Sequence, residues 1–241
     1  MRDPLMRAVP HRRAESAAPA VLVAHGSRDP RSAAVVHNIA IAAGMLPGFL
    51  GFNDPTPLAV AESLARAGHS RLTLVPLLLT DAYHSRVDIP EAARSIRDEL
   101  GVDVSLAPPV GDTGLAHSLT RSLPSVDAVV VSAAGTSVES GRAHVADVAR
   151  VVGNLLEVPA LEAFATGPGN RPGEAVRRLR AGGARRVAAL HYFIAPGMLC
   201  DRAVEDALEA GADFAGPPLG PSTELLRLLE DRKNAEVGVL V

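Results

Sequence analysis

The stretch "VLVAHGSRDPRS", residues 21–32, reads as a buried strand that ends in a histidine and turns into a helix. Its apolar run has the length and β-branched content of a strand covered on both faces, and Gly26 and Pro30 punctuate its end. His25 therefore stands at the carboxyl end of a strand. Beyond it the chain alternates. "SAAVVHNIAIAAGML" has helical periodicity, "GFLGF" is short and apolar, "LAVAESLARAG" is helical and "RLTLVPLLL" is a strand. "PEAARSIRDEL" is then a helix, "VDVSLAP" a strand and "GLAHSLTRSL" a helix. Apolar strands separated by amphipathic helices predict a parallel sheet covered on both faces, and such sheets bind ligands outside their carboxyl ends.

The second half repeats the first. "DAVVVSAAGTS" repeats "APAVLVAHGSR" in pattern, and "GPPLGPSTELLRLLEDR" echoes "APPVGDTGLAHSLTRSL". Laying Pro108 on Pro217 puts His25 on Ala134. Laying "GHSRLTLVPLLLTDAYHSR" on "GARRVAALHYFIAPGMLCD" puts Pro76 on His191 and His84 on Leu199. The expectation is an α/β protein of two similar lobes facing one another across a cleft, each lobe a four-stranded parallel sheet flanked by helices. Residues 20–124 would form the lobe that carries the site and residues 125–235 a degenerate repeat, with tails at 1–19 and 236–241.

Composition limits the partners. The 241 residues carry a net charge of −3, so no global positive field attracts nucleic acid. Every basic residue but Lys233 is an arginine, and any acidic ligand must be met by local arginines. The lone Cys200 allows no internal disulfide and no CxxC metal site. No run of about 18 apolar residues exists to span a membrane, and the Arg-rich start lacks the apolar core of an export signal. A cytoplasmic monomer without membrane or nucleic-acid partners is expected, since the duplication supplies both lobes. "ATGPGN" lacks the ending of a phosphate loop, GxGxxG is absent, and the lack of GxSxG argues against a serine hydrolase.

Two histidines remain as candidates for chemistry. His84 leaves the strand "LTLVPLLL" as His25 leaves its own, and rim loops of neighbouring strands converge. Neutral imidazoles bind borderline divalent metals and accept protons near pH 7. His11, His37, His69, His117 and His144 have no expected task, and His191 either faces the cleft or fills a polar niche.

"VAHGSRDPR" together with "VPLLLTDAYHSRVDIP" resembles the sirohydrochlorin and cobalt chelatases, the class II tetrapyrrole chelatases. In that family the first strand ends in His-Gly-Ser, here His25-Gly26-Ser27, and a later loop reads His, three residues, Asp, Ile or Leu, Pro, here His84, Asp88, Ile89 and Pro90. The resemblance implies insertion of Fe2+ or Co2+ into sirohydrochlorin, with the metal a substrate and no permanently bound cofactor. His25 and His84 would be both the catalytic residues and the metal ligands. Ser27, Arg28, Arg31, Arg86 and the amides of residues 26–28 would meet the carboxylate-rich macrocycle. Tyr83 would stack on that macrocycle or support its own loop. One departure stands out. The family's second strand carries a glutamate where "GFLGFNDP" has Gly51, leaving Asp54 as the acid available to help hold metal. A non-catalytic tetrapyrrole- or metal-binding relative is the alternative reading.

Overall fold

The structure, a computed structural model, describes residues 18–80, 87–121 and 123–234. Two four-stranded sheets organise these residues. The first contains β1 (Ala20–Ala24), β2 (Leu46–Phe49), β3 (Arg71–Pro76) and β4 (Asp103–Leu106) in the order β2-β1-β3-β4. The second contains β5 (Ala128–Ala133), β6 (Ala160–Phe164), β7 (Val187–His191) and β8 (Phe214–Ala215) in the order β6-β5-β7-β8. Every strand pair is parallel. The central strands are buried along their whole length, which is why they read as unbroken apolar runs.

Alternating residues of each central strand feed different cores. Val21 and Val23 pack outward against Val60, Ala61 and Ile96, from the helices Pro57–Arg66 and Asp88–Leu100. Leu22 and Ala24 face inward and join one continuous core with Val129, Val131 and Ala133 of β5. Between the sheets lie the helices Pro30–Ala42 and Glu139–Leu156. Ala116 and Leu119, from the short helix Ala116–Thr120, and Leu225 and Leu229, from Thr223–Asn234, belong to the same core. The two sheets thus share an apolar layer, with the cleft confined to one end of it.

The duplication extends to single hydrogen bonds. Gly51 N–H donates to His25 O and Thr166 N–H to Ala134 O, each at 3.0 Å. One residue earlier, Leu50 N–H donates to Ala24 O and Ala165 N–H to Ala133 O, each at 2.9 Å. Ala134 therefore occupies the place of His25. Leu199, which the ungapped alignment lays on His84, belongs to a helix, and His84 lies outside the described residues. Along the sequence, residues 77–87 separate β3 from the helix Asp88–Leu100, whereas only 192–197 separate β7 from the helix Met198–Glu209, which contains Leu199. An ungapped alignment hides this because the longer helix Glu139–Leu156 adds residues that the shorter connection later removes.

Where the β1 loop crosses the β2 loop, Gly26 has φ +91° and a Cβ there would lie 1.8 Å from Gly51 O. Gly135 repeats this, its Cβ falling 2.1 Å from Thr166 O. Gly68 has the same φ of +91° with nothing within 4 Å, so the two glycines separate backbone strain from collision. Gly68→Ala should cost about 1 kcal/mol, the usual penalty of a left-handed residue. Gly26→Ala should cost at least about 3 kcal/mol, read by urea denaturation. Equal losses would show that the crossing is loose.

Candidate functional site

His25 follows the last residue of β1 and is exposed at the sheet's carboxyl edge. Its ring stacks on Phe52, with centroids 6.0 Å apart and planes 17° from parallel. Phe52 is itself 60% exposed and holds a left-handed φ of +63°. The guanidinium carbon of Arg28 lies 5.2 Å from the same ring, so Phe52 organises both rim residues. Ser27 N–H donates to Asn53 Oδ1 at 2.8 Å, and Ser27 Oγ accepts from Asp29 N–H at 3.0 Å. The Ser27 amide is therefore occupied and does not offer itself to a ligand carboxylate, while the Ser27 hydroxyl keeps its proton to donate.

Beside His25 opens a cavity of about 550 Å³, lined among others by Gly51, Thr56, Asp88, Glu91 and Ser95. Asp88, Glu91 and Ser95 lie three and seven positions apart, one face of the helix Asp88–Leu100. That spacing was legible in the sequence, but which way the face points was not. Asp54 is exposed and does not line the cavity. The turn after β2 is closed by Phe49 N–H donating to Pro55 O and by Asn53 reaching Ser27, which leaves Asp54 outside. Among the described residues no three His, Cys, Asp or Glu side chains lie close enough to share a metal ion. His84, Tyr83 and Arg86 lie outside the described residues.

Gly51 is open to a side chain. Its φ is not in the left-handed region, and an added Cβ would meet only His25 O, at 4.0 Å. The second lobe demonstrates the point, since Thr166 stands at the matching position and its hydroxyl donates to Ala134 O at 2.8 Å.

The second lobe closes over this edge. Leu77, Thr80, Ala133, Thr136, Phe164 and Tyr192 help line an interlobe cavity of about 200 Å³. Arg31 pairs with Asp29 and reaches across to Asp201. Hydrogen bonds to Asp29 and then Asp201 push its pKa up. Arg31 thus bridges the lobes, its guanidinium shared between two carboxylates. A Cβ on Gly197 would lie 4.0 Å from Ser27 Oγ, which places the His25 loop against the second lobe's rim.

His191 is fully buried and does not reach the cleft. Its Nδ1 lies 2.7 Å from Ser132 Oγ, and its Nε2 has no partner. Burial pushes its pKa down to about 4. Ser132 and His191 are register partners, as are Val23 and Pro76 in the first sheet, so an apolar pair has been replaced by a polar one.

The CbiX family model matches residues 19–123 and again 128–236. A sirohydrochlorin cobaltochelatase from Sulfurisphaera tokodaii is 34% identical over 80 residues, 33% of this chain and 64% of that protein, just under two thirds of its length. SirB from Bacillus subtilis with Fe3+ superposes with a TM-score of 0.75 at 22% identity, over 89% of this chain and 94% of that one. The cobalt complex of the sirohydrochlorin chelatase SirB from Bacillus subtilis subspecies spizizenii gives 0.76 at 20% identity, over 89% and 93%. Those two structures share the fold.

His191 generates a pH signature. With a folded pKa of about 4, below the ordinary 6.5, the unfolded chain holds a proton there that the folded one lacks. Stability should therefore fall as pH drops from about 6.5 to 4, by up to about 3 kcal/mol. His191→Leu should remove this component in urea denaturation at pH 7 and 4.5. An unchanged pH slope in the variant would assign the loss to other groups.

Proposed function

Because the chain belongs to the CbiX family, we propose that it inserts a divalent ion, Fe2+ or Co2+, into sirohydrochlorin, with His25 as the imidazole that hands over the metal. The observation that carries this is the setting of His25: a strand-end imidazole fixed by the Gly26 crossing and stacked on Phe52, beside a cavity with carboxylates in its wall. The name of the Sulfurisphaera relative supports the reaction class.

Metalation exchanges two pyrrole N–H protons for one M2+, so the site must release a metal ion and accept two protons. An imidazole holds iron or cobalt less tenaciously than a thiolate would. Cys200 is no competitor, being buried with a pKa pushed up to about 11. Asp88 and Glu91 line the cavity beside His25, a position suited to receiving the displaced protons. Ser27 and Arg28, at the rim, would engage carboxylate arms of the macrocycle. His84 would supply the second imidazole, with Tyr83 and Arg86 facing the substrate. Both flanks of their stretch belong to the site, Thr80 in the interlobe cavity and Asp88 in that of His25. A tetrapyrrole carrier without turnover is the competing reading, and the absence of a carboxylate at Gly51 is the observation that favours it.

Anaerobic absorbance titration with sirohydrochlorin and each metal separates the two. The enzyme accelerates metalation, and the relative rates with Fe2+ and Co2+ set its preference. His25→Ala and His84→Ala should each lower the rate by at least about 100-fold with the fold intact by circular dichroism. Gly51→Glu, which has room, should speed insertion or tighten metal binding. Near-wild-type rates in both histidine variants, or a macrocycle bound and left unmetalated, would overturn the chelatase reading.

A further inference from the structure

A third cavity, of about 410 Å³, lies where the lobes meet beyond β3, and the chemistry above makes no use of it. Leu79, Thr80, Pro108 and Pro109 of the first lobe form one wall. Ser140 and His144 of the second, and Arg232 of the last helix, complete it. Resting on the chelatase reading, we propose that this cavity is a subsite for one carboxylate arm of the tetrapyrrole, with Arg232 as the charged partner and His144 as a neutral donor.

The helix Thr223–Asn234 brings Arg232 there. Leu225 and Leu229 are fully buried in the shared core, and Arg232 follows at the next position of the same face. Its side chain is half-buried, and its Nε donates to Pro109 O at 3.4 Å. Among the described residues no carboxylate pairs with it. The guanidinium's remaining N–H groups thus face a cavity with a positive charge partly withdrawn from water, where an anionic oxygen would satisfy them.

His144 adds to this. Its Nε2 lies 2.9 Å from Tyr192 Oη. With the Tyr192 hydroxyl giving its proton to Nε2, Nδ1 is the N–H nitrogen of the neutral ring. No described residue accepts from Nδ1. Burial holds His144 below its ordinary pKa, which keeps the ring neutral at pH 7. Neither nearby acid pairs with the guanidinium: Asp112 Oδ1 accepts from Gly114 N–H, and Asp147 pairs with Arg150.

Position fits the ligand. Leu79 and Thr80 line both this cavity and the interlobe one. The loop after β4 is two strands removed from the end of β1, about 10 Å at ordinary strand spacing. A macrocycle held beside His25 would therefore extend one of its acetate or propionate arms into the Arg232 cavity.

Binding of metal-free sirohydrochlorin to the full-length protein, followed by absorbance under anaerobic conditions, tests the subsite. Arg232→Gln should raise Kd and KM about tenfold, the loss of one charge-assisted hydrogen bond, with kcat unchanged. Arg232→Lys should recover part of the affinity. The decisive arm uses sirohydrochlorin with its arms capped as methylamides. There wild type and Arg232→Gln should bind alike, which a merely structural effect would not produce. Wild-type affinity in Arg232→Gln, or an equal loss for the free and capped macrocycles, would overturn the subsite. A wild-type protein that binds sirohydrochlorin without metalating it would refute the chelatase reading alone, and the binding ratio would still decide the role of Arg232.

Discussion

The carboxyl end of the first sheet depends on one close approach, that of Gly26 to the Gly51 carbonyl. A side chain at residue 26 would collide with that carbonyl, and a right-handed φ would turn His25 away from the sheet edge. Once the two loops cross, their hydrogen bonds follow in order: Leu50 to Ala24, Gly51 to His25, and Ser27 to Asn53. Phe52 is carried into its left-handed turn and onto the imidazole by the same crossing. Its backbone strain is thus supported by neighbours on both sides, the condition under which strained residues persist. His25 is held by main-chain geometry, although its own side chain is exposed.

The second sheet makes the crossing with Gly135 and Thr166, which shows what the duplication kept and what it let go. The main-chain hydrogen bonds were kept, because they close the sheet's edge, and a side chain at residue 135 would collide with Thr166 as one at residue 26 would with Gly51. The side chains were not. Ala134 stands for His25, the connection after β7 is shorter than that after β3, and Ser132 with His191 replaces Val23 with Pro76. The second lobe therefore has the frame of the first without its imidazoles, and contributes a wall. The shared apolar layer between the sheets, with Leu225 and Leu229 of the terminal helix in it, keeps that wall in place.

Much of this was legible in the sequence, for a physical reason. Strands buried on both faces admit few polar residues, so β1, β3, β5 and β7 read as apolar runs, and the end of each run located the rim and His25 upon it. The repeat was legible because burial constrains both copies alike. What escaped depends on contacts between distant segments. Asp88, Glu91 and Ser95 share a helix face by spacing, yet only the packing of that helix against the outer side of the sheet turns the face toward His25. Arg31 looked like a free cation beside the site because Asp201, far along the chain, could not be foreseen as its partner. Asp54 looked like the surviving acid because spacing cannot show which way a turn leaves a side chain.

Gly51 shows where the demands of the backbone end and those of the chemistry begin. A glycine forced by the backbone would mean that the crossing cannot coexist with an acid at this position, but the backbone places no such demand. Its φ is open to any residue, space surrounds its Cα, and Thr166 bears a side chain at the equivalent place. The crossing needs a carbonyl at residue 51 and a glycine at residue 26, and is indifferent to the side chain at 51. The missing carboxylate is thus a matter of chemistry that folding does not dictate. Two carboxylates already line the neighbouring cavity. An acid at residue 51 would add a third negative charge to a small region, which favours a cation and raises the cost of seating a polyanionic macrocycle. On the chelatase reading, a first lobe that keeps its carboxylates to the cavity wall and leaves the rim to His25, Ser27 and Arg28 favours the approach of an acidic ring over tight retention of the metal.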